Sequence, residues 1–293
     1  MGGKITIALA GLGSRGKDTY AQAVKKFPEK MEIVAIADID PDKVKEVAEE
    51  FHIPQERCFV SAEDLIAQDK LADVMFITTQ DQQHVRQAIP ALRKGYHLLL
   101  EKPISPDLDE CRELVKVAKE CDRQVIVCHV LRYTPIYSKV KEVIDSGVAG
   151  DIVSVMSIEN VGYWHQAHSF VRGNWRNSNT TSPMILQKCC HDMDLLLWLT
   201  GKTCESVSSF GDTYLFKEDC APEGAAHRCM DGCKVKDSCP YDAEKIYLKH
   251  PEIGVENGHT EWPVNVLTLH PTVESVTEAV SYTHLTLPTN REV

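Results

Sequence analysis

Short apolar runs alternate with amphipathic stretches over the first 130 residues. The runs are KITIALA (4–10), EIVAIAD (32–38), ADVMFIT (72–78), YHLLLE (96–101) and QVIVCHV (124–130), each bounded by polar or turn residues. Between them DKVKEVAEEF (42–51), HVRQAIPALRKG (84–95) and LDECRELVKVAKEC (108–121) place apolar residues three and four apart. Apolar runs of strand length alternating with helical patterns predict βαβ units around a parallel sheet buried on both faces. The expected fold is therefore α/β, a doubly wound N-terminal sheet of Rossmann type. Gly95 is expected to stop one helix and Pro106 to lie near the start of the next.

The texture changes after about residue 128. All four tryptophans lie beyond residue 150. DIVSVMSIENVGYW (151–164) begins with strand alternation, 162–183 is polar, aromatic and His-rich, and CHDMDLLLWLTG (190–201) predicts a helix ending at Gly201. The expected organisation is a dinucleotide-binding domain over 1–128 and an α+β substrate and oligomerisation domain with an open sheet over 129–280. The latter carries a Cys-rich insertion at 216–248. The last stretch, SYTHLTLPTNREV (281–293), has no helical period and reads as a non-native tail on a second domain that is cut short.

Composition narrows the classes. The chain has 293 residues, 43% hydrophobic and 26% charged, with a formal net charge of −11. That balance argues against general binding to nucleic acid or an anionic membrane, which needs clustered Lys and Arg. No apolar run approaches the roughly 20 residues of a membrane span. The N-terminal run lacks a cleavage site, so the expected location is the cytoplasm, with the eleven cysteines reduced.

Residues 11–16 are Gly-Leu-Gly-Ser-Arg-Gly, a G-x-G-x-x-G directly after the first strand and ahead of a helical pattern. Gly11 permits the tight turn, Gly13 lets backbone approach a pyrophosphate, and Gly16 lets helix and strand pack closely. A helix N-terminus offers amides and the positive end of its dipole to the phosphates. The next strand ends on Asp38, placed to accept from the adenosine ribose hydroxyls. Its carboxylate favours NAD, since it repels a 2′-phosphate. Arg15 leaves NADP open because it could pair with that phosphate.

With that fingerprint upstream, the motifs GLGSRG at 11, ADID at 37, TTQDQQH at 78, EKPIS at 101, RYTP at 132 and CHDMDLLLWLTG at 190 resemble the Gfo/Idh/MocA family, which includes glucose–fructose oxidoreductase and inositol dehydrogenase. The resemblance covers residues 5 to about 201. It implies hydride transfer between a nicotinamide and a sugar, inositol or related polyol, and a homo-oligomer when full length. It also implies cofactor contacts from Gly11, Gly13, Ser14, Arg15, Gly16, Asp38, Thr78, Thr79, His84, Glu101 and Lys102. In the family the lysine of EKP lies beside the nicotinamide and the reacting hydroxyl, and the Lys-Pro bond is often cis. Here that lysine is Lys102, and the second catalytic candidate is His191. The family carries an aspartate four residues before this histidine. This chain has Gln187 there, which cannot act as a general base, with Lys188 beside it.

YWHQAHSFVRGNWRN (163–177) combines hydrogen-bonding groups with aromatic faces, as a polyol site requires. Tyr163, His165, His168, Arg172, Trp175 and Arg176, with Gln187 and Lys188, are the substrate candidates, and the arginines suggest a carboxylate or phosphate on the substrate. Arg132 and Tyr133 are weaker candidates. Cys220, Cys229, Cys233 and Cys239 fall within twenty residues and suit a structural Zn²⁺ site, with His227 as a substitute ligand. Free or paired thiols are the other reading of that cluster. Two further functions stand beside the dehydrogenase: an NAD-dependent redox glycosidase, whose usual helix motif is missing here, and a non-catalytic nucleotide-binding protein.

Overall fold

The computed structural model describes residues 3–280 apart from Tyr214 and Leu269. The expected tail at 281–293 lies outside the described residues. The chain forms two compact units that divide between Ser138 and Lys139.

The first unit follows the alternation of its sequence. β1 (Ile5–Ala10) leads through a π-helical segment, Ser14–Ala21, into α1 (Gln22–Lys26). Then come β2 (Met31–Ala37), α2 (Pro41–Phe51), β3 (Cys58–Phe59), α3 (Ala62–Ala67), β4 (Val74–Ile77), α4 (His84–Arg93), β5 (His97–Leu100), α5 (Leu108–Glu120) and β6 (Val125–Val127). The strands form one six-stranded sheet in the order β3-β2-β1-β4-β5-β6. Every pairing is parallel, with Ile7 opposite Val74, Val74 opposite His97 and Leu98 opposite Val125. The order reverses direction between β1 and β4, which is where a doubly wound sheet opens a crevice at its carboxyl edge.

Alternation along each strand feeds two cores. Ile7, Leu9, Ile33 and Ile36 face Val44 and Val47 of α2 and Leu12, Ala21 and Val24 on one side. Ala8, Ala10, Met75, Ile77, Leu98 and Leu100 face Leu65, Ala88, Leu92, Leu114 and Val117 on the other. Side chains of period two point to opposite faces, so one apolar run serves both layers. The helices begin where side chains can cap them. Asp40 accepts from the amides of Asp42 (3.0 Å) and Lys43 (3.4 Å), and Asp107 from those of Asp109 (2.7 Å) and Glu110 (3.2 Å). Gly95 (φ +90°) ends the α4 segment as expected. β3 was not anticipated; two residues carry no period.

α6 (Pro135–Asp145) runs across the division between the units. The second unit contains α7 (Tyr163–Gln166), α8 (Met184–Thr200) and α9 (Val273–Val280), joined by short helical turns. α8 ends at Gly201, left-handed at φ +64°. Its apolar core gathers Cys229, Ala243, Tyr247, Leu248, Val255, Val264, Val276 and Val280. The strand expected at the start of 151–164 does not form, and no strand occurs among the described residues of this unit. Val153 is 95% exposed and Met156 89%. A strand exists only through ladder bonds to a neighbour, and here this apolar alternation has none.

Candidate functional site

The glycine-rich loop leaves the carboxyl end of β1. Gly11 has φ +91°, and a Cβ there would fall 2.7 Å from the Thr78 carbonyl carbon. A Cβ on Gly16 would fall 1.9 Å from the Gly11 carbonyl oxygen, so only glycine lets the helical segment pack this closely. A Cβ on Gly13 would meet nothing within 4 Å. The fold itself does not need that bare backbone; a ligand approaching the loop does. This division of labour fits a dinucleotide pyrophosphate at the loop.

Asp38 closes the loop from β2. One carboxylate oxygen accepts from the Leu12 amide at 2.5 Å and the other from the Asp40 amide at 2.9 Å. Thr78, just past β4, donates to the carbonyls of Ala10 (2.9 Å) and Gly11 (2.7 Å). Thr79 donates to Gln87 Oε1 at 2.6 Å. The two threonines therefore brace the loop and the start of α4 through their hydroxyls. Ser14 lies exposed at the head of the helical segment.

The EKP turn follows β5. The Lys102–Pro103 bond is cis. Lys102 is half-buried, while Glu101 beneath it is 5% exposed. A buried carboxylate is costly unless it is paired and hydrogen-bonded. Glu101 Oε1 accepts from Arg15 Nε at 2.7 Å and from the Tyr20 hydroxyl at 2.7 Å, and Oε2 accepts from the Lys102 amide at 2.8 Å. Arg15 also donates to the Tyr20 hydroxyl at 2.8 Å. Burial pushes the Cys128 thiol, just past β6, up to about 11. Burial opposes the charge on Arg15, yet the bond to Glu101 and its negative charge prevail and raise the guanidinium pKa.

These contacts revise two expectations. Arg15 is drawn to Glu101, so its Nε is committed to the turn and is not set toward a 2′-phosphate. His84 is 1% exposed, with its Nδ1 at 2.8 Å from the Pro103 carbonyl oxygen and its Nε2 at 3.0 Å from that of Thr79. Both ring nitrogens lie against backbone carbonyls inside the protein, so His84 clamps the cis turn. Tyr20 was missed because nothing in its local sequence sets it apart; its partner Glu101 lies far away along the chain.

In the second unit the His-rich segment is largely interior. His168 is fully buried, its Nδ1 3.1 Å from the Tyr247 hydroxyl, and burial, then His165 and Arg172, pull its pKa down to about 4. Arg172 is 4% exposed; it donates to the Tyr241 carbonyl and lies 5.7 Å over the Tyr247 ring. The substrate role expected for these two is therefore corrected: both are built into the packing around Tyr247. Trp175 packs at a tilt against Phe170, 6.3 Å between ring centroids, and the exposed Arg176 donates to the Gly173 carbonyl at 3.2 Å. Tyr163 is exposed and meets Tyr241 edge-on at 5.6 Å.

α8 brings some candidates together. Lys188 Nζ lies 3.2 Å from His165 Nε2, and burial, then the Lys188 charge, lowers the His165 pKa. Gln187 is 6% exposed, and His191, half-buried, follows it by one turn on the same face. Arg132 and Tyr133 sit in a short helical turn, Val130–Tyr133, with Tyr133 exposed.

The expected zinc site is not assembled. Among the described residues, no three of Cys220, Cys229, Cys233, Cys239 and His227 bring ligand atoms within 4.8 Å of one another. Cys229 points into the core, accepts from the Ala243 amide at 3.4 Å and has its pKa raised by burial, whereas Cys220 is exposed.

Comparison with known proteins agrees with this geometry. Residues 5–129 match the family model described as "Oxidoreductase family, NAD-binding Rossmann fold", and residues 137–236 match the Gfo/Idh/MocA C-terminal domain. The chain is 27% identical over 213 residues to inositol 2-dehydrogenase of Corynebacterium glutamicum, covering 71% of this chain and 57% of that one. It is 25% identical over 264 residues to the YteT protein of Bacillus subtilis, provisionally named an oxidoreductase, covering 87% of this chain and 60% of that one. Among solved structures, the WlbA dehydrogenase of Bordetella pertussis, in complex with NADH and UDP-GlcNAcA, superposes with TM-score 0.57 at 25% identity, covering 68% of this chain and 58% of that one. The chain thus spans under two thirds of the length of these relatives. The glycine-rich loop, the carboxylate closing β2, the cis EKP turn and both family models together show that this chain belongs to the Gfo/Idh/MocA family of oxidoreductases.

Proposed function

We propose that the protein transfers a hydride between a nicotinamide dinucleotide and a hydroxyl-bearing carbon of a sugar, inositol or related polyol. The observation that carries this reading is the placement of the glycine-rich loop and Lys102 at the carboxyl ends of β1 and β5, either side of β4, where the strand order reverses. Ligands of open α/β sheets bind at that point. The similarity to inositol 2-dehydrogenase supports the substrate class.

In this reading Gly11, Gly13 and Gly16 shape the loop against the pyrophosphate, and the amides heading the segment from Ser14 bind it. Asp38 accepts from the ribose diol and disfavours a 2′-phosphate, so NAD is the preferred cofactor. Arg15 supports that choice by being committed to Glu101. The bound nicotinamide supplies the hydride acceptor. Lys102 takes the hydroxyl proton, or as an ammonium steadies the developing alkoxide. His191, in the second unit, is the other residue given a catalytic role in this proposal. Gln187, Lys188 and His165 orient the substrate hydroxyls. No helix among the described residues is long and apolar enough to cross a membrane. A homo-oligomer in the cytoplasm belongs to the same proposal.

The test is a thermal-shift titration with NAD⁺ and NADP⁺ in parallel, followed by absorbance at the reduced-nicotinamide band with a panel of inositols and aldoses. A native-state ligand raises stability by mass action. A larger shift with NAD⁺ and turnover abolished by Lys102→Ala is the expected result. A larger NADP⁺ shift overturns the role given to Asp38. Turnover that survives Lys102→Ala overturns the role given to the lysine.

A further inference from the structure

The Glu101 carboxylate is the joint between two loops that start on different strands. Arg15 and Tyr20 belong to the helical segment that follows β1; Glu101 and Lys102 follow β5. The carboxylate is nearly enclosed, and its three partners divide between the two sides. Oε1 takes the guanidinium Nε and the phenol, while Oε2 takes the Lys102 amide. The network is anchored behind by the edge-on packing of Tyr20 against Phe76 of β4, 6.1 Å between centroids. Arg15 also lies over the Tyr20 ring at 5.0 Å, so cation, phenol and carboxylate contact one another.

Resting on the dehydrogenase reading above, we infer that Arg15 and Tyr20 are positioning residues, which hold Glu101 and through it the backbone of Lys102 in register with the glycine-rich loop. The loop that receives the pyrophosphate and the turn that presents the lysine are then one rigid unit. A functional side chain is held in productive geometry by the hydrogen bonds of its supporting shell. Arg15 here contributes through a carboxylate, not through a phosphate. A direct phosphate contact would make loss of Arg15 weaken cofactor binding. A positioning role makes loss of Arg15 spare affinity and misplace Lys102.

Acetylation of Lys102 by acetic anhydride, read by mass spectrometry with and without NAD⁺, separates these without knowing the substrate. In the wild type, saturating NAD⁺ is expected to slow acetylation of Lys102 about tenfold, because the bound dinucleotide covers it. In Arg15→Met the protection falls to about twofold or less, while the NAD⁺ dissociation constant from thermal titration moves by less than about threefold. Glu101→Gln reproduces that loss, and the double variant is no worse than the worse single one, as expected of residues acting as one unit. Tyr20→Phe keeps the ring against Phe76 and removes only the hydroxyl, so it gives an intermediate loss in a protein that folds. Arg15→Lys restores charge and part of the protection. If Arg15→Met retains protection but loses NAD⁺ affinity, or if the Arg15 and Glu101 effects add, the positioning role is overturned and the dehydrogenase reading stands. If the folded wild type shows neither binding nor protection, both fall together.

Discussion

At the scale of single residues, two positions carry the sharpest expectations. Gly16 is fixed by sterics, since any Cβ collides with the Gly11 carbonyl at 1.9 Å. Gly16→Ala is expected to lose the NAD⁺ thermal shift and to destabilise the first unit by about 1–3 kcal/mol, the usual cost of overpacking. Circular-dichroism melts with and without NAD⁺ check both. His168 has the opposite character: nothing marks it in sequence as interior, yet it is fully buried against Tyr247. Its folded pKa, about 4, lies below its ordinary 6.5. The unfolded chain therefore binds the proton first as pH falls. The second unit should hold full stability above about pH 6.5 and lose up to about 3 kcal/mol as pH drops toward 4. His165 and Arg172, both facing His168, add to that penalty by their positive charge. Urea unfolding across this range, in wild type and His168→Phe, tests the expectation. A slope unchanged by the substitution would reject it.

Elements were legible where a local rule decides them. The five long apolar runs became β1, β2, β4, β5 and β6, and the three amphipathic stretches became α2, α4 and α5. Their ends follow cap chemistry that is visible in sequence. Asp40 caps α2 and is itself buried, so Asp40→Ala should cost about 1–2 kcal/mol. It should also loosen Asp38, whose Oδ1 accepts from the Asp40 amide. Denaturant midpoints measure the first effect, and a weaker NAD⁺ shift than the stability loss alone predicts measures the second. Alternation in 151–164 misled for the same physical reason that it succeeded elsewhere. Period two marks a chain able to be a strand, but the ladder partner is supplied by tertiary structure.

For the whole molecule, the decisive fact is three cores that share no buried residue. Two line opposite faces of the sheet in the first unit, and the third gathers around Tyr247 in the second. Units with separate cores can melt separately. Scanning calorimetry should therefore resolve two transitions. NAD⁺ should raise the one that belongs to residues 1–138, and mild acid should lower the other. A single transition shifted equally by both would mean that the units unfold together.

The sequence alone settled what depends on neighbours in the chain or on residue type. The parallel sheet follows from the alternation of runs, the dinucleotide loop from three glycines after a strand, and the family from motifs such as EKPIS. Tertiary structure decided which polar groups face inward. It paired Arg15 with Glu101, which lies 86 positions away, turned His84 onto the Pro103 carbonyl, and enclosed His168 and Arg172. A polar side chain's role is set by whether a distant segment offers it a partner once water is excluded, and the sequence around that side chain does not encode where the distant segment lies.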